Sequence, residues 1–232
     1  MNQSEFASRL QQLQINLTSQ ASDAFYRYYQ LLAEWNEKMN LTAITALEDV
    51  YDKHFYDCVL PAIRLSLTKG KLCDVGAGAG FPSIPMKILF PELDVTIVEP
   101  LQKRCVFLQE LVHQLDLKQV QIVNARAEEF AQGHRESFDA VSARAVANLQ
   151  MLSELCIPLV KVDGIFLAMK GSSGQEEAKQ ADKATALLGC KLEHIDEEKV
   201  GDHTHVNLVY RKIRKTPSQY PRMFAKIKKN PL

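Results

Sequence analysis

No apolar run in this chain approaches the roughly 20 residues needed to span a bilayer, so no membrane segment is expected. The N-terminal stretch MNQSEFASRL has no basic segment followed by an apolar one, so no signal peptide is expected and the cytoplasm is the expected compartment. The five cysteines, at 58, 73, 105, 156 and 190, lack CxxC or Cys/His spacing. That argues against a zinc framework or a disulfide scaffold and leaves reduced thiols with no metal. Internal repeats are missing too, and 46% apolar with 24% charged residues reads as ordinary globular protein. A chain of 232 residues holds one large α/β domain, or a domain with a small appendage.

One further absence is local. Residues 211–232 contain no acidic side chain but eight basic ones: Arg211, Lys212, Arg214, Lys215, Arg222, Lys226, Lys228 and Lys229. Because the net charge is zero, residues 1–210 carry the opposite excess, 28 acidic against 20 basic side chains. A basic end on an acidic body suggests contact with a polyanion. A solvated, frayed terminus is the alternative.

Along the first 65 residues the rhythm is helical. Phe25, Tyr28, Tyr29, Leu32, Trp35 and Met39 recur at three- and four-residue steps, a stripe that reads as core packing, with Ser22 or Asp23 as its cap. A second pattern, LEDVYDKHFYDCVLPAIRL, is expected to be disturbed near Pro61. It places His54 and Asp57 on one helical face, to gate a pocket or simply to pack. After Gly70 short apolar runs alternate with helical patterns: KLCDV, DVTIVE, VQIVNA, FDAVSA and GIFLAMK. This predicts a parallel sheet covered on both faces. A polar helix over 174–188 then leads to KLEHIDEEKV and HVNLVYRKI, expected as a terminal hairpin that makes the sheet mixed.

The stretch CDVGAGAGFPSIP, residues 73–85, joins the first strand to a helix, the arrangement that offers backbone N–H groups to a ligand. Gly76, Gly78 and Gly80 give G-x-G-x-G, with Phe81 where a dinucleotide fingerprint wants its third glycine. Asp74 puts a carboxylate at the expected mouth, which suits an ammonium or sulfonium group. Glu99 ends the second strand, where an acid accepts from ribose hydroxyls. Glu128, past the third strand, is placed for an adenine amine, with Ala127 supplying a backbone donor. Arg144 ends the fourth strand, where open α/β sheets bind ligands.

These motifs, DVGAGAGFPSIPMKI, VEPLQKRCVFLQEL, ARAEEF and FDAVSARAV, with WNEKMNLTAI and KHFYDC upstream, resemble the glucose-inhibited division protein B family over nearly the whole chain. That family comprises bacterial 16S rRNA guanine-N7 methyltransferases acting on position 527. The resemblance implies a seven-stranded class I methyltransferase fold, mostly parallel and doubly wound with a terminal antiparallel strand. It implies a helical region over 1–65, a methyltransferase domain over 66–212 and a basic extended tail over 213–232. It also implies S-adenosylmethionine bound by Gly76, Phe81, Ala127, Glu128 and Arg144, with Glu99 in the ribose-binding place and Asp74 and Gly78 beside it. The implied partner is 16S rRNA or an assembling 30S subunit, and the protein is expected to be a monomer.

N7 of guanine has a lone pair and no proton, so no catalytic base is expected, and Arg144 would act by position or charge. After the fourth strand there is no Asn/Asp-Pro-Pro-aromatic tetrad and no Pro-Cys, which argues against adenine-amine and cytosine-C5 chemistry. In KTPSQYPR, Pro217 and Pro221 are expected to extend the chain, Tyr220 to stack on a base and Arg222 to bind phosphate, alongside Arg211, Arg214, Lys215, Lys226, Lys228 and Lys229. Relatives with this tail have a Gly-x-Pro turn where this chain has Ala225 and Ile227. The rival functions are a small-molecule methyltransferase, an NAD-dependent dehydrogenase and a non-catalytic RNA-binding module.

Overall fold

The computed structural model describes residues 1–144, 146–200 and 203–232. Seven strands form one sheet: β1 (Gly70–Val75), β2 (Leu93–Val98), β3 (Val120–Val123), β4 (Phe138–Arg144), β5 (Val160–Lys170), β6 (Cys190–Val200) and β7 (His203–Lys212). Their order is β3-β2-β1-β4-β5-β7-β6, and β7 alone runs against its neighbours. The expected mixed sheet with a terminal hairpin is thus observed. The order reverses between β1 and β4, which opens a crevice beyond the carboxyl ends of those strands.

Alternation along the strands feeds two cores. Leu72 of β1 points to one face with Val95 and Ile97, whereas Cys73 and Val75 point to the other with Val141 and Phe166. The first face is covered by α1 (Gln3–Gln12), α2 (Ser19–Met39), α3 (Leu47–Val50), α4 (Asp57–Arg64), α5 (Ser83–Leu89) and α6 (Gln102–Gln114). The second is covered by α7 (Ala127–Gly133), α8 (Leu149–Cys156), α9 (Gly174–Gln180), α10 (Asp182–Leu187) and the tail. No helix among the described residues is long and apolar enough to cross a membrane.

The predicted stripe on α2 is real: Phe25, Tyr28 and Leu32 are buried against the sheet, with Tyr29, Trp35 and Met39 packed at its edge. The helix starts earlier than expected, because Thr18 rather than Ser22 or Asp23 caps it, accepting from the Ala21 N–H at 3.1 Å. The disturbance expected at Pro61 lies just upstream, as a wide π-type turn over Tyr51–Tyr56. A helical proline crowds the carbonyl four residues back, here that of Asp57, so the turn before Asp57 opens. The polar helix over 174–188 is broken at Ala181 into α9 and α10.

The tail is not extended. It folds back over α7 and α8 and ends in α11 (Phe224–Lys229). Buried Lys212 donates to the carbonyls of Ile157 (2.7 Å) and Val160 (3.1 Å) and to Thr216 Oγ1 (2.7 Å). Burial pushes its basicity down to about 8. Arg135 donates to the carbonyls of Thr216, Pro217 and Tyr220. Arg222 grips the fully buried Glu154 through its backbone N–H (2.8 Å), Nε (2.8 Å) and a terminal nitrogen (2.6 Å). Tyr220 is buried.

Removing Arg222 strands a buried carboxylate, and breaking such a pair costs roughly 3–5 kcal/mol. Arg222→Ala should therefore lower the denaturant midpoint markedly, and adding Glu154→Gln should recover much of that drop. An unchanged midpoint for the single variant would show that the clamp carries no stability.

Candidate functional site

The glycine loop leaves β1 at the switch point. Gly76 has φ +71°, and a Cβ there would lie 2.9 Å from a methyl of Val146. Gly78 has φ +60°, so its need for glycine is conformational rather than spatial. The Gly78 N–H donates to Glu99 Oε2 (3.1 Å), and the Leu101 N–H donates to Glu99 Oε1 (3.0 Å). The loop and the acid at the end of β2 thus hold each other in place. From α2, the Tyr28 hydroxyl donates to the Ala79 carbonyl at 2.5 Å.

Asp74 departs from expectation. It does not stand at the mouth: it is fully buried beneath the loop, accepting from the Ser83 N–H (3.0 Å) and the Ser142 hydroxyl (3.2 Å). Desolvation pushes its carboxyl up to about 7 against the pull of those donors. Its work is to tie the loop to β4 and α5.

Two cavities flank the loop. One, of about 320 Å³, is lined by Gly76, Glu99, Ala127 and Glu128, with Leu101, Arg104, Arg126, Met151 and Phe224. The larger, of about 640 Å³, is lined by His54, Asp57, Arg144, Met169, Lys170 and His205 among others. Both include Val146 and Ala147, so the cavities meet there. Gly76, Glu99, Ala127 and Glu128 are therefore brought together as expected, while Arg144 belongs to the neighbouring cavity.

Arg144 donates to Asp57 Oδ2 (3.2 Å) and to His54 Nδ1 (3.1 Å). Its guanidinium lies 4.7 Å from the Phe81 ring centroid, and the His54 ring is 4.4 Å from the same centroid. Phe81 is buried, stacked on Tyr28, and lines neither cavity. Its ring is the platform beneath Arg144 and His54. His54 Nδ1 also lies 3.1 Å from the Lys53 carbonyl, and its Nε2 lies 2.9 Å from Thr42 Oγ1. Burial and the adjacent guanidinium press its basicity down to about 3, so it is neutral near pH 7. Asp57 also pairs with His205 Nδ1 at 2.6 Å. The His54–Asp57 pair read from KHFYDC is thus joined through Arg144. Sequence reasoning misses His205, Lys170 and Phe224, because nothing local in a strand or tail marks which side chain reaches a cavity.

The tail cations divide. Lys212 and Arg222 are internal, Arg211 pairs with Glu193 at 2.9 Å, and Arg214 donates to the Ala186 carbonyl at 2.5 Å. Lys215, Lys226, Lys228 and Lys229 are exposed.

The family model described as GidB, rRNA small subunit methyltransferase G, matches residues 21–207. The chain belongs to this family. It is 51% identical over the full length of both chains to the ribosomal RNA small subunit methyltransferase G of Geobacillus thermodenitrificans. It is 47% identical to that of Staphylococcus aureus, over 97% of this chain and 96% of that one. Among solved structures, M. jannaschii TYW2 in complex with AdoMet superposes with a TM-score of 0.53 at 16% identity, over 68% of this chain and 77% of that one. A 16S rRNA (adenine(1408)-N(1))-methyltransferase variant from Catenulisporales acidiphilia gives 0.52 at 15% identity, over 66% and 90%. At such identities the likeness is one of fold, the class I methyltransferase sheet.

Because the folded state holds the Asp74 proton more tightly than the unfolded chain, the native state binds more protons between the ordinary aspartate range and pH 7. Stability contributed by the protonated form is present at low pH and lost as pH rises through about 7, an effect on the order of a few kcal/mol. Asp74→Asn, which cannot ionise, should gain stability relative to wild type between pH 5 and pH 8. Parallel urea melts whose difference stays flat with pH would refute this.

Proposed function

We propose that this enzyme methylates N7 of guanosine 527 in 16S rRNA, as free RNA or in an assembling 30S subunit, with S-adenosylmethionine as methyl donor. The observation that carries the reading is the pair of cavities meeting at Val146 and Ala147 in a chain of this methyltransferase family.

The residues of the smaller cavity fit the donor. Gly76 clears space that a side chain would fill, Glu99 offers a buried carboxylate to ribose hydroxyls, and Glu128 with Ala127 suits the adenine edge. Gly78 serves through the Glu99 carboxylate, and Asp74 and Phe81 serve by holding the loop. When bound, S-adenosylmethionine supplies an electrophilic methyl group. The larger cavity would receive the guanine, whose N7 lone pair would take the methyl as its bond to sulfur breaks, leaving S-adenosylhomocysteine, with no proton transfer. Neutral His54 and an Arg144 fixed by Asp57 give an aligned wall that takes no proton, so the protein contributes alignment and exclusion of water. Lys215, Lys226, Lys228 and Lys229, with Arg211 and Arg214 in supporting pairs, present the cations that meet the phosphates.

Tritiated methyl transfer to 16S rRNA or 30S particles lacking the modification, followed by mapping, should yield N7-methylguanosine at one position. Incorporation into neither substrate defeats the reading. Gly76→Val should abolish S-adenosylmethionine binding in calorimetry, since both the backbone angle and Val146 oppose the side chain. Lys226, Lys228 and Lys229 changed together to Ala should weaken RNA binding and flatten its log–log salt dependence by about 1 for each phosphate no longer neutralised. An unaltered slope would remove the tail helix from the RNA interface.

A further inference from the structure

We propose that the C-terminal helix α11 forms part of the cofactor cavity, with Phe224 providing the aromatic face against which the adenine ring lies. The proposal rests on the reading of the smaller cavity as an S-adenosylmethionine site and deepens it. Phe224 lines that cavity together with Glu99, Ala127 and Glu128, although it is about a hundred residues from them in sequence. The Arg126 guanidinium, one residue before α7, stands 5.2 Å from the Phe224 ring centroid and so links the tail to the loop that follows β3.

The helix is not draped there loosely. Ile227 is fully buried in the second core, Arg222 is clamped on Glu154 immediately before α11, and Gln150 donates to the Leu232 carbonyl at 2.8 Å. Three anchors therefore bracket Phe224 and fix the direction from which its ring enters the cavity. The chemistry suits a purine. Leu101, Met151, Leu155 and Phe224 make an apolar surround, while Glu128 supplies the acceptor an exocyclic amine needs. A flat π-system gains from an aromatic face in a way a ribose or an amino-acid chain does not. The same short helix carries Lys226, Lys228 and Lys229 on its exposed side, so one element touches both the nucleoside cavity and solvent-facing cations.

The test compares wild type, Phe224→Ala and Phe224→Trp by calorimetry with S-adenosylhomocysteine and with S-adenosylmethionine. Hydrogen exchange of residues 224–229 is followed with and without S-adenosylhomocysteine. Both ligands share the adenosine, so Phe224→Ala should weaken both by about tenfold, Phe224→Trp should stay within about twofold, and the tail amides should gain protection. Equal binding by a folded Phe224→Ala overturns the proposal and leaves the cofactor assignment standing. If Phe224→Ala does not fold, wild-type tail amides that gain no protection overturn it. Failure of wild type to bind either ligand overturns the cofactor assignment and this proposal together.

Discussion

A guanidinium at the end of β4, partly buried in the wall of the larger cavity, must be neutralised by a carboxylate from another element. Desolvating such an ion costs several kcal/mol unless it is paired and hydrogen-bonded. Here the partner is Asp57, at the start of α4, so the ion pair seats the N-terminal helices on the carboxyl edge of the sheet. Its consequences spread outward. His54 is forced neutral beside Arg144, Phe81 of the glycine loop becomes the surface under both, and His205 of β7 closes on the second oxygen of Asp57. The helical region, the glycine loop, β4 and the terminal hairpin thereby meet at one carboxylate.

Much of this architecture is legible in the sequence, for identifiable reasons. Near-continuous apolar runs between helical patterns are direct consequences of burying a sheet on both faces, and they place β1 to β5. Gly76, Glu99, Ala127 and Glu128 can be read because they follow strand ends, and a parallel sheet brings all such ends to one edge. Asp74 is misplaced by such reading because a carboxylate one residue before the end of β1 can point to the mouth or beneath the loop. Only the Ser83 and Ser142 donors decide between them. His205 is invisible for a related reason: its approach to Asp57 depends on the hairpin, far from the helical motif that holds its partner.

Charge counting misleads most in the tail. The excess of acid in the body and of base in the terminus does not all await an outside polyanion. Arg222 is committed to Glu154, Arg211 to Glu193, and Lys212 lies 3.7 Å from Glu136. Folding converts part of a sequence-level dipole into internal bonds, while Arg214, Lys215 and the three lysines of α11 stay exposed. The absence of a helix breaker at Ala225 and Ile227 lets α11 form, and Ile227 then fills the second core.

Three glycines in five residues invite a ligand-clearance account, yet the loop has internal reasons for them as well. Gly78 needs its positive φ to turn its N–H onto Glu99, and that bond fixes the very carboxylate assigned to the ribose. Gly76 needs its own positive φ while Val146, which lines both cavities along with Ala147, lies against it. A side chain at either position would therefore disturb the placement of Glu99 or of the shared wall before it touched any ligand. Loop, acid and wall are one mechanical unit, in which backbone geometry specifies where the binding groups stand.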